Sequence, residues 1–447
     1  MTQLLSGTLS ETRERLQAGK VTSIDLVNAS FARIEELGAI GQLAFTHCYS
    51  QKAMAAAKVA DQRLALGDDA PLLGLPISIK DSMDVAGEVT SAGSVIFTQN
   101  GAAEKDAHVV DLIKRAGAII VGKTNMSEFA FSGLGVNPHY GTPVRPDHSD
   151  YIAGGSTSGG AVSVASKAVF ATLGSDTGGS LRIPAAFCDV VGFKPTASRV
   201  STAGVVPLSY SYDSVGAITR SVEDVIVMDQ VLSQTDYDIP HIPLSQMRFF
   251  VTKDYVMEDL DAEVEARFLE TLARLEAAGA TIIYRDFYEL SQIPHINSQG
   301  GLTAAEIWSE HEFFFDQLRD QYDPLVAQRI ERGRSITASH YLHILRKREE
   351  LQAVAAKKLA FFDAWLMPTV AVKPPKVEAL ADEEAFFRLN GIVLRNTTVS
   401  NFLDGCALSL PLGDGIGLSI SGLKDQDHHI LTVAKSIEKY LSESSEG

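Results

Sequence analysis

The sequence has little of what several protein classes depend on. Cysteine occurs three times in 447 residues, at Cys48, Cys188 and Cys406, widely spaced and odd in number. No CxxC pair occurs, which excludes a disulfide framework and a zinc knuckle. The three are expected to be small buried hydrophobes. HExxH is absent too, and His428 and His429 in "DQDHHI" read as a solvated helix start, so no metal site is expected. Basic charge is scarce: 39 Lys and Arg stand against 56 Asp and Glu, a formal net charge of −17. That balance argues against extended nucleic-acid binding or a polybasic membrane anchor. No apolar run approaches the ~18 residues of a membrane span. The first residues, "MTQLLSGTLSETRERLQAGK", are charged and lack the apolar core of a signal peptide. The expectation is a soluble cytoplasmic protein, monomer or homodimer.

Internal repeats, low-complexity linkers and clear domain boundaries are also missing, so residues 1–447 read as one domain. "SETRERLQAG", opening at Ser10, and "TSIDLVNASFARIEEL", stopping at Gly38, have helical spacing. "LPISIKD" and "AGAIIVGKT" are short apolar runs suited to buried strands, with the amphipathic "AHVVDLIKRAG" between them. This order predicts an α/β fold. "GGAVSVASKAVFATLG" reads as a buried helix running into a strand. Residues 285 to 365 turn helical and aromatic, and "CALSLPLGDGIGLSISG" returns to strand-like alternation before a last helix, "HHILTVAKSIEKYL".

Two glycine-serine stretches stand out, "GGSTSGG" (154–160) and "GSDTGGSLRIP" (174–184). They flank an apolar segment that must be buried, so they are not linkers. Consecutive amides before a helix start form an anion-binding nest, and Pro184 is tolerated in a first helical turn. The amides of Thr177, Gly178, Gly179 and Ser180 are candidate oxyanion donors, and Ser180 supplies a nucleophile inside the nest. Serine needs a base. No histidine lies nearby and no GxSxG elbow occurs. Lysine can replace histidine, and Lys80 closes the apolar strand of "GLPISIKDSMD". Free lysine titrates near ~10.4, and burial can lower that by several units. Asp176 and Arg182 flank the nest and are expected to fix the loop rather than move protons.

"GLPISIKD", "GGSTSGGAVSVA" and "LGSDTGGSLRIPAAFCDVVGFKPT", in this order and spacing, closely resemble the amidase signature family. The likeness extends to "GKTNMSEFAF" (122–131) and "FDAWLMPT" (362–369). The resemblance implies one α/β domain with a mixed sheet covered by helices, a core at about 60–220 and a helical region at about 285–365 covering the site. It implies a Ser–cis-Ser–Lys triad of Ser180, Ser156 and Lys80, with Ser156 joined through a cis peptide bond, and no cofactor. The substrate would be a small-molecule amide or carbamate. Many members read GGSSGGS, so Thr157 and Ser158 remain alternative bridging residues; otherwise Thr157 supports the loop. By position, Met126 and Ser127 would line the pocket, and Trp308 with Phe314 of the "FFF" run would cover an apolar group. Alternative readings are a carbamate or urea-type hydrolase, a glutaminase subunit of a tRNA-dependent amidotransferase, and an inactive binding protein.

Other motifs carry less. "GAIIVGKT" (117–124) matches GxxxxGK[ST], but its four central residues are apolar and strand-like, not a glycine-rich cradle. "SGLK" (421–424) and "SIEK" (436–439) match SxxK without any companion motif.

Overall fold

The computed structural model describes residues 2–443. Its strands are β1 (Phe45–Cys48), β2 (Pro76–Lys80), β3 (Ile119–Thr124), β4 (Ala171–Asp176), β5 (Val191–Lys194), β6 (Ser214–Thr219), β7 (Arg248–Thr252), β8 (Thr281–Arg285), β9 (Ala364–Pro368), β10 (Ala407–Gly413) and β11 (Ile416–Ser421). They form one eleven-stranded sheet in the order β1-β3-β2-β4-β6-β5-β10-β11-β9-β7-β8. β2 is parallel to β3 and β4, and β7 is parallel to β8 and β9. The remaining pairings are antiparallel. The fold is therefore α/β with a mixed central sheet.

β2, β3, β4, β6, β9 and β11 are buried at every residue, which is why they read as continuous apolar runs. β3 shows both covering layers. Ile119 and Val121 pack with Ala53 and Ala57 of helix Ser50–Ala65 and with Val162 of helix Ser158–Ala165. Ile120 packs on the other face with Val109 and Ile113 of helix His108–Arg115. Across the sheet's second half, Phe250, Trp365 and Met367 carry Ile293, Ile296, Ile344 and Leu351 of the helical stretch. No helix among the described residues is long and apolar enough to cross a membrane.

Several boundaries differ from the sequence expectation. The first helix is Leu9–Gln17 and its cap is Thr8, not Ser10, because Thr8 and Glu11 form a reciprocal capping box. The long helix expected to run through "AFFDAWL" ends at Leu359, and Ala364 begins β9. There Asp363 breaks the helical pattern by pairing with Arg248: its carboxylate accepts from Arg248 N at 2.7 Å and its amide donates to Arg248 O at 2.8 Å. Cys48 is exposed rather than buried, since only Phe45 of edge strand β1 faces the core, while Cys188 and Cys406 are buried. The lysine of "GAIIVGKT" ends no phosphate loop: Lys123 lies within β3, 3.2 Å from Asp81.

Helix Ser158–Ala165 sits so close to the chain before β1 that only glycine fits at position 159. A Cβ there would lie 2.0 Å from Ala44 O and 2.8 Å from Asn125 N, both backbone atoms that cannot swing away. Gly159→Ala is expected to destabilise the protein by about 1–3 kcal/mol despite alanine's better helix propensity. A urea-unfolding midpoint equal to or above wild type would contradict this packing.

Candidate active site

β3, β2 and β4 run parallel and end on one edge of the sheet. The chain leaves β2 for β3 on one side, then returns to β4 on the other. Such a reversal opens a crevice beyond the carboxyl ends of the strands, the usual ligand position in open α/β sheets. Lys80 is the last residue of β2, and Ser175 and Asp176 are the last residues of β4.

Lys80 Nζ lies 2.7 Å from Ser156 Oγ, 2.9 Å from Ser175 Oγ and 3.4 Å from Ser175 O. All of Lys80 is buried. The Gly155–Ser156 peptide bond is cis. Ser127 N donates to Ser156 O at 3.3 Å, and Thr157 N donates to Ser180 O at 3.2 Å, which joins the two glycine-serine stretches. Of the three hydroxyl residues in "STS", Ser156 alone meets Lys80. Ser158 Oγ donates to Asn125 O at 3.3 Å, and Thr157 Oγ1 is buried without a hydrogen-bond partner.

The loop after β4 is organised by Asp176 and Arg182, both fully buried and 3.0 Å apart. Arg182 approaches the carboxylate through Nε at 3.1 Å and Nη2 at 3.0 Å. Arg182 also donates to Thr397 O at 3.0 Å and Asn401 Oδ1 at 2.7 Å, while Asn401 Nδ2 donates to Asp176 Oδ1 at 2.9 Å. Asp176 further accepts from Gly179 N at 2.9 Å and Leu181 N at 3.1 Å. This corrects one expected oxyanion donor: the Gly179 amide is engaged by the carboxylate beneath the loop. The Gly178 and Ser180 amides make no hydrogen bond among the described residues.

The loop and helix Arg182–Phe187 lie close against the sheet because glycines form its floor. A Cβ at Gly192 of β5 would lie 2.6 Å from both Leu181 O and Ala185 Cβ, and one at Gly174 of β4 would lie 2.7 Å from Leu181 Cδ2. Ser180 thereby reaches the wall of a cavity of about 240 Å³. Thr177 and Gly178 line it beside Ser180, with Phe131, Leu208 and Leu394 as apolar walls. Helix Glu383–Phe402 adds Thr398 and Asn401, and the helical stretch adds Asn297, Arg329 and Arg332.

The expected pocket residues do not line this cavity. Met126 is wholly buried among Ile96, Phe129 and Phe131, its carbonyl held by Asn137 Nδ2 at 2.7 Å. Ser127 is likewise buried and donates to Ser132 O at 3.0 Å. Trp308 stacks edge-on with Phe315 under Arg334, and Phe314 packs on His311. All four stabilise neighbouring structure, and none lines the cavity. Sequence reading also passed over Ser175, Asp213, Thr397 and Asn401. Ser175 lay inside the quoted motif, whereas the other three carry no local signal.

Burial is the main influence on the charges. It draws the Lys80 ammonium down to about 7, against the opposing pull of Asp213 and Asp176. Burial pushes the Asp213 carboxyl up, although it accepts from Thr177 Oγ1 and from the amides of Leu208 and Ser209. Asp176 behaves oppositely: burial would raise it, but Arg182, with help from Lys194 and Asn401, holds it down at about 2. Among the described residues no group of three or more His, Cys, Asp or Glu could hold a metal ion.

The chain matches the family model described as Amidase over residues 25–431. It is 31% identical over 449 residues to 2-amino-5-chloromuconic acid deaminase of Comamonas testosteroni, covering 97% of this chain and 96% of that one. It is 30% identical over 486 residues to the A-type subunit of glutamyl-tRNA(Gln) amidotransferase from Lachnospira eligens, covering 98% of each. A crystal structure of an amidase superposes with a TM-score of 0.88 at 29% identity, covering 98% of this chain and all of that one.

Removing Arg182 would strand the Asp176 charge. Arg182→Ala is expected to cost about 3–5 kcal/mol in urea unfolding, with much of that recovered in the double variant Asp176→Asn/Arg182→Met. Near-wild-type stability of Arg182→Ala would contradict the pairing.

Proposed function

This chain belongs to the amidase family, and we propose that it cleaves the C–N bond of a small-molecule amide through an acyl-enzyme on Ser180, with Lys80 as base and Ser156 as proton bridge. The observation that carries this reading is the buried Lys80 amine against Ser156, drawn down to about 7 by its surroundings. A neutral amine has two N–H groups and one lone pair. The two N–H groups suit Ser175 Oγ and Ser175 O, which leaves the lone pair to accept from the Ser156 hydroxyl.

As Ser180 Oγ attacks the carbonyl carbon, its proton passes to Ser156 Oγ and the Ser156 proton passes to Lys80 Nζ. The carbonyl oxygen becomes an oxyanion facing the Gly178 and Ser180 amides, where a donor is worth about 10²–10³ in rate. The proton then returns from Lys80 through Ser156 to the leaving nitrogen, and the C–N bond breaks. An ester remains on Ser180. Water attacks it with the same relay, releases the acid and restores all three residues. Carbamates and ureas fit the same chemistry and differ by releasing CO₂.

A second reading is the glutaminase component of an amidotransferase, favoured by the similarity to the Lachnospira eligens amidotransferase component over nearly the full chain. Glutamine hydrolysis that requires co-purifying partner proteins would support it.

Incubation with a fluorophosphonate is expected to add one adduct to the wild type and none to Ser180→Ala, read by intact mass. Ser180→Ala and Lys80→Ala should each lower kcat by about 10⁴-fold or more. Retained turnover in either would defeat the proposed relay. For the wild type, kcat/KM should fall as pH drops through about 7, because protonating Lys80 removes the base. A flat profile from pH 5 to 8 would contradict that role.

A further inference from the structure

We propose that the cleft beside Ser180 takes amides that also carry a carboxylate, held by the guanidinium of Arg329 with Arg332 beside it. The inference rests on the reading of Ser180 as nucleophile and narrows its substrate to small amido acids.

Arg329 is a cation short of partners. Its guanidinium lies 4.1 Å from the centroid of the Phe131 ring and donates from Nη1 to Phe131 O. Guanidinium has five N–H donors, so most are unused. Other deep arginines are provided for: Arg182 faces Asp176, Arg145 faces Asp147 and Asp189, and Arg199 faces Asp229. Arg220, which has no such acid, donates to three carbonyls. No carboxylate lies within ion-pair distance of Arg329 or Arg332 among the described residues, and no Asp or Glu lines the cavity. Burial and the neighbouring Arg332 pull Arg329 down to about 9, so it remains charged at neutral pH. Two adjacent cations facing a cleft, in a chain of net charge −17, are best neutralised by an anion between them.

Tyr212 also lines the cleft, its ring under the Arg348 guanidinium and its hydroxyl buried. A planar guanidinium fork matches a carboxylate bidentately. The cavity of about 240 Å³ is below the usual drug-sized range, which suits a short acyl chain joining amide to acid.

The test compares kcat/KM for matched pairs, succinamate against butyramide and glutaramate against valeramide. The wild type is expected to prefer the acid member by about 100-fold. Arg329→Gln should cut that preference at least tenfold, and Arg332→Gln, at an exposed residue that tolerates change, should cut it less. Equal rates within pairs, or a preference unchanged in both variants, would overturn the inference while leaving amide hydrolysis intact. Calorimetry on Ser180→Ala supplies a readout without turnover: glutaramate should bind, valeramide should not, and adding Arg329→Gln should abolish binding. If the wild type hydrolyses nothing and takes no phosphonate, the catalytic reading fails, and calorimetry alone decides the anion site. Absence of glutaramate binding there would overturn it.

Discussion

The Asp176 carboxylate is the point on which the site depends. It accepts hydrogen bonds from Gly179 N, Leu181 N, Arg182 Nε and Nη2, and Asn401 Nδ2. A buried charge is sustained only when an opposite charge and hydrogen bonds replace the lost water, and here both are supplied. In one move the end of β4, the glycine loop, helix Arg182–Phe187 and helix Glu383–Phe402 are tied together. The last of these also donates from Thr397 Oγ1 to Gly178 O at 2.6 Å, fixing that peptide plane. The loop therefore presents Ser180 to the cleft in a shape its glycines alone would not hold.

That pairing also bears on Lys80. Asp176 lies near enough to favour its ammonium form, as does Asp213, yet burial outweighs both. Arg182 neutralises Asp176 at close range, and Thr177 Oγ1 with the amides of Leu208 and Ser209 disperse the charge on Asp213. A lysine directly paired with either carboxylate would stay protonated and could not serve as a base. Lys80 instead meets two hydroxyls and a carbonyl, which tolerate a neutral amine.

Electrostatics divide the cleft into two parts. Near Lys80, Asp176 is paired with Arg182 and Asp213 is hydrogen-bonded by Thr177, Leu208 and Ser209, whereas the wall from the helical stretch carries Arg329 and Arg332 without acids. The compensated part suits a reaction common to many amides. The uncompensated wall is where selection among them can arise, because a cation without a counter-charge favours substrates that pair with it.

Local pattern determined a good deal. Continuous short apolar runs announced buried strands, helical spacing announced their covering layers, and a glycine nest ahead of Pro184 announced a loop leading into a helix. A lysine closing an apolar strand was visible as an oddity, and motif order brought Lys80, Ser156 and Ser180 into one hypothesis. Local pattern reports burial and conformation within a few residues, and it stops there. Which amide of the loop is already engaged depended on Asp176 folding under Gly179. The cavity walls depended on contacts across 215 to 225 positions, such as those of Arg182 and Asp176 with Thr397 and Asn401. Met126, Ser127, Trp308 and Phe314 were expected to line the pocket, but Met126 and Ser127 are buried and Trp308 and Phe314 are half-buried against neighbouring rings. Arg329 carries no local signal, and only the tertiary structure sets it, without an acid, on the wall of the same cleft as Ser180.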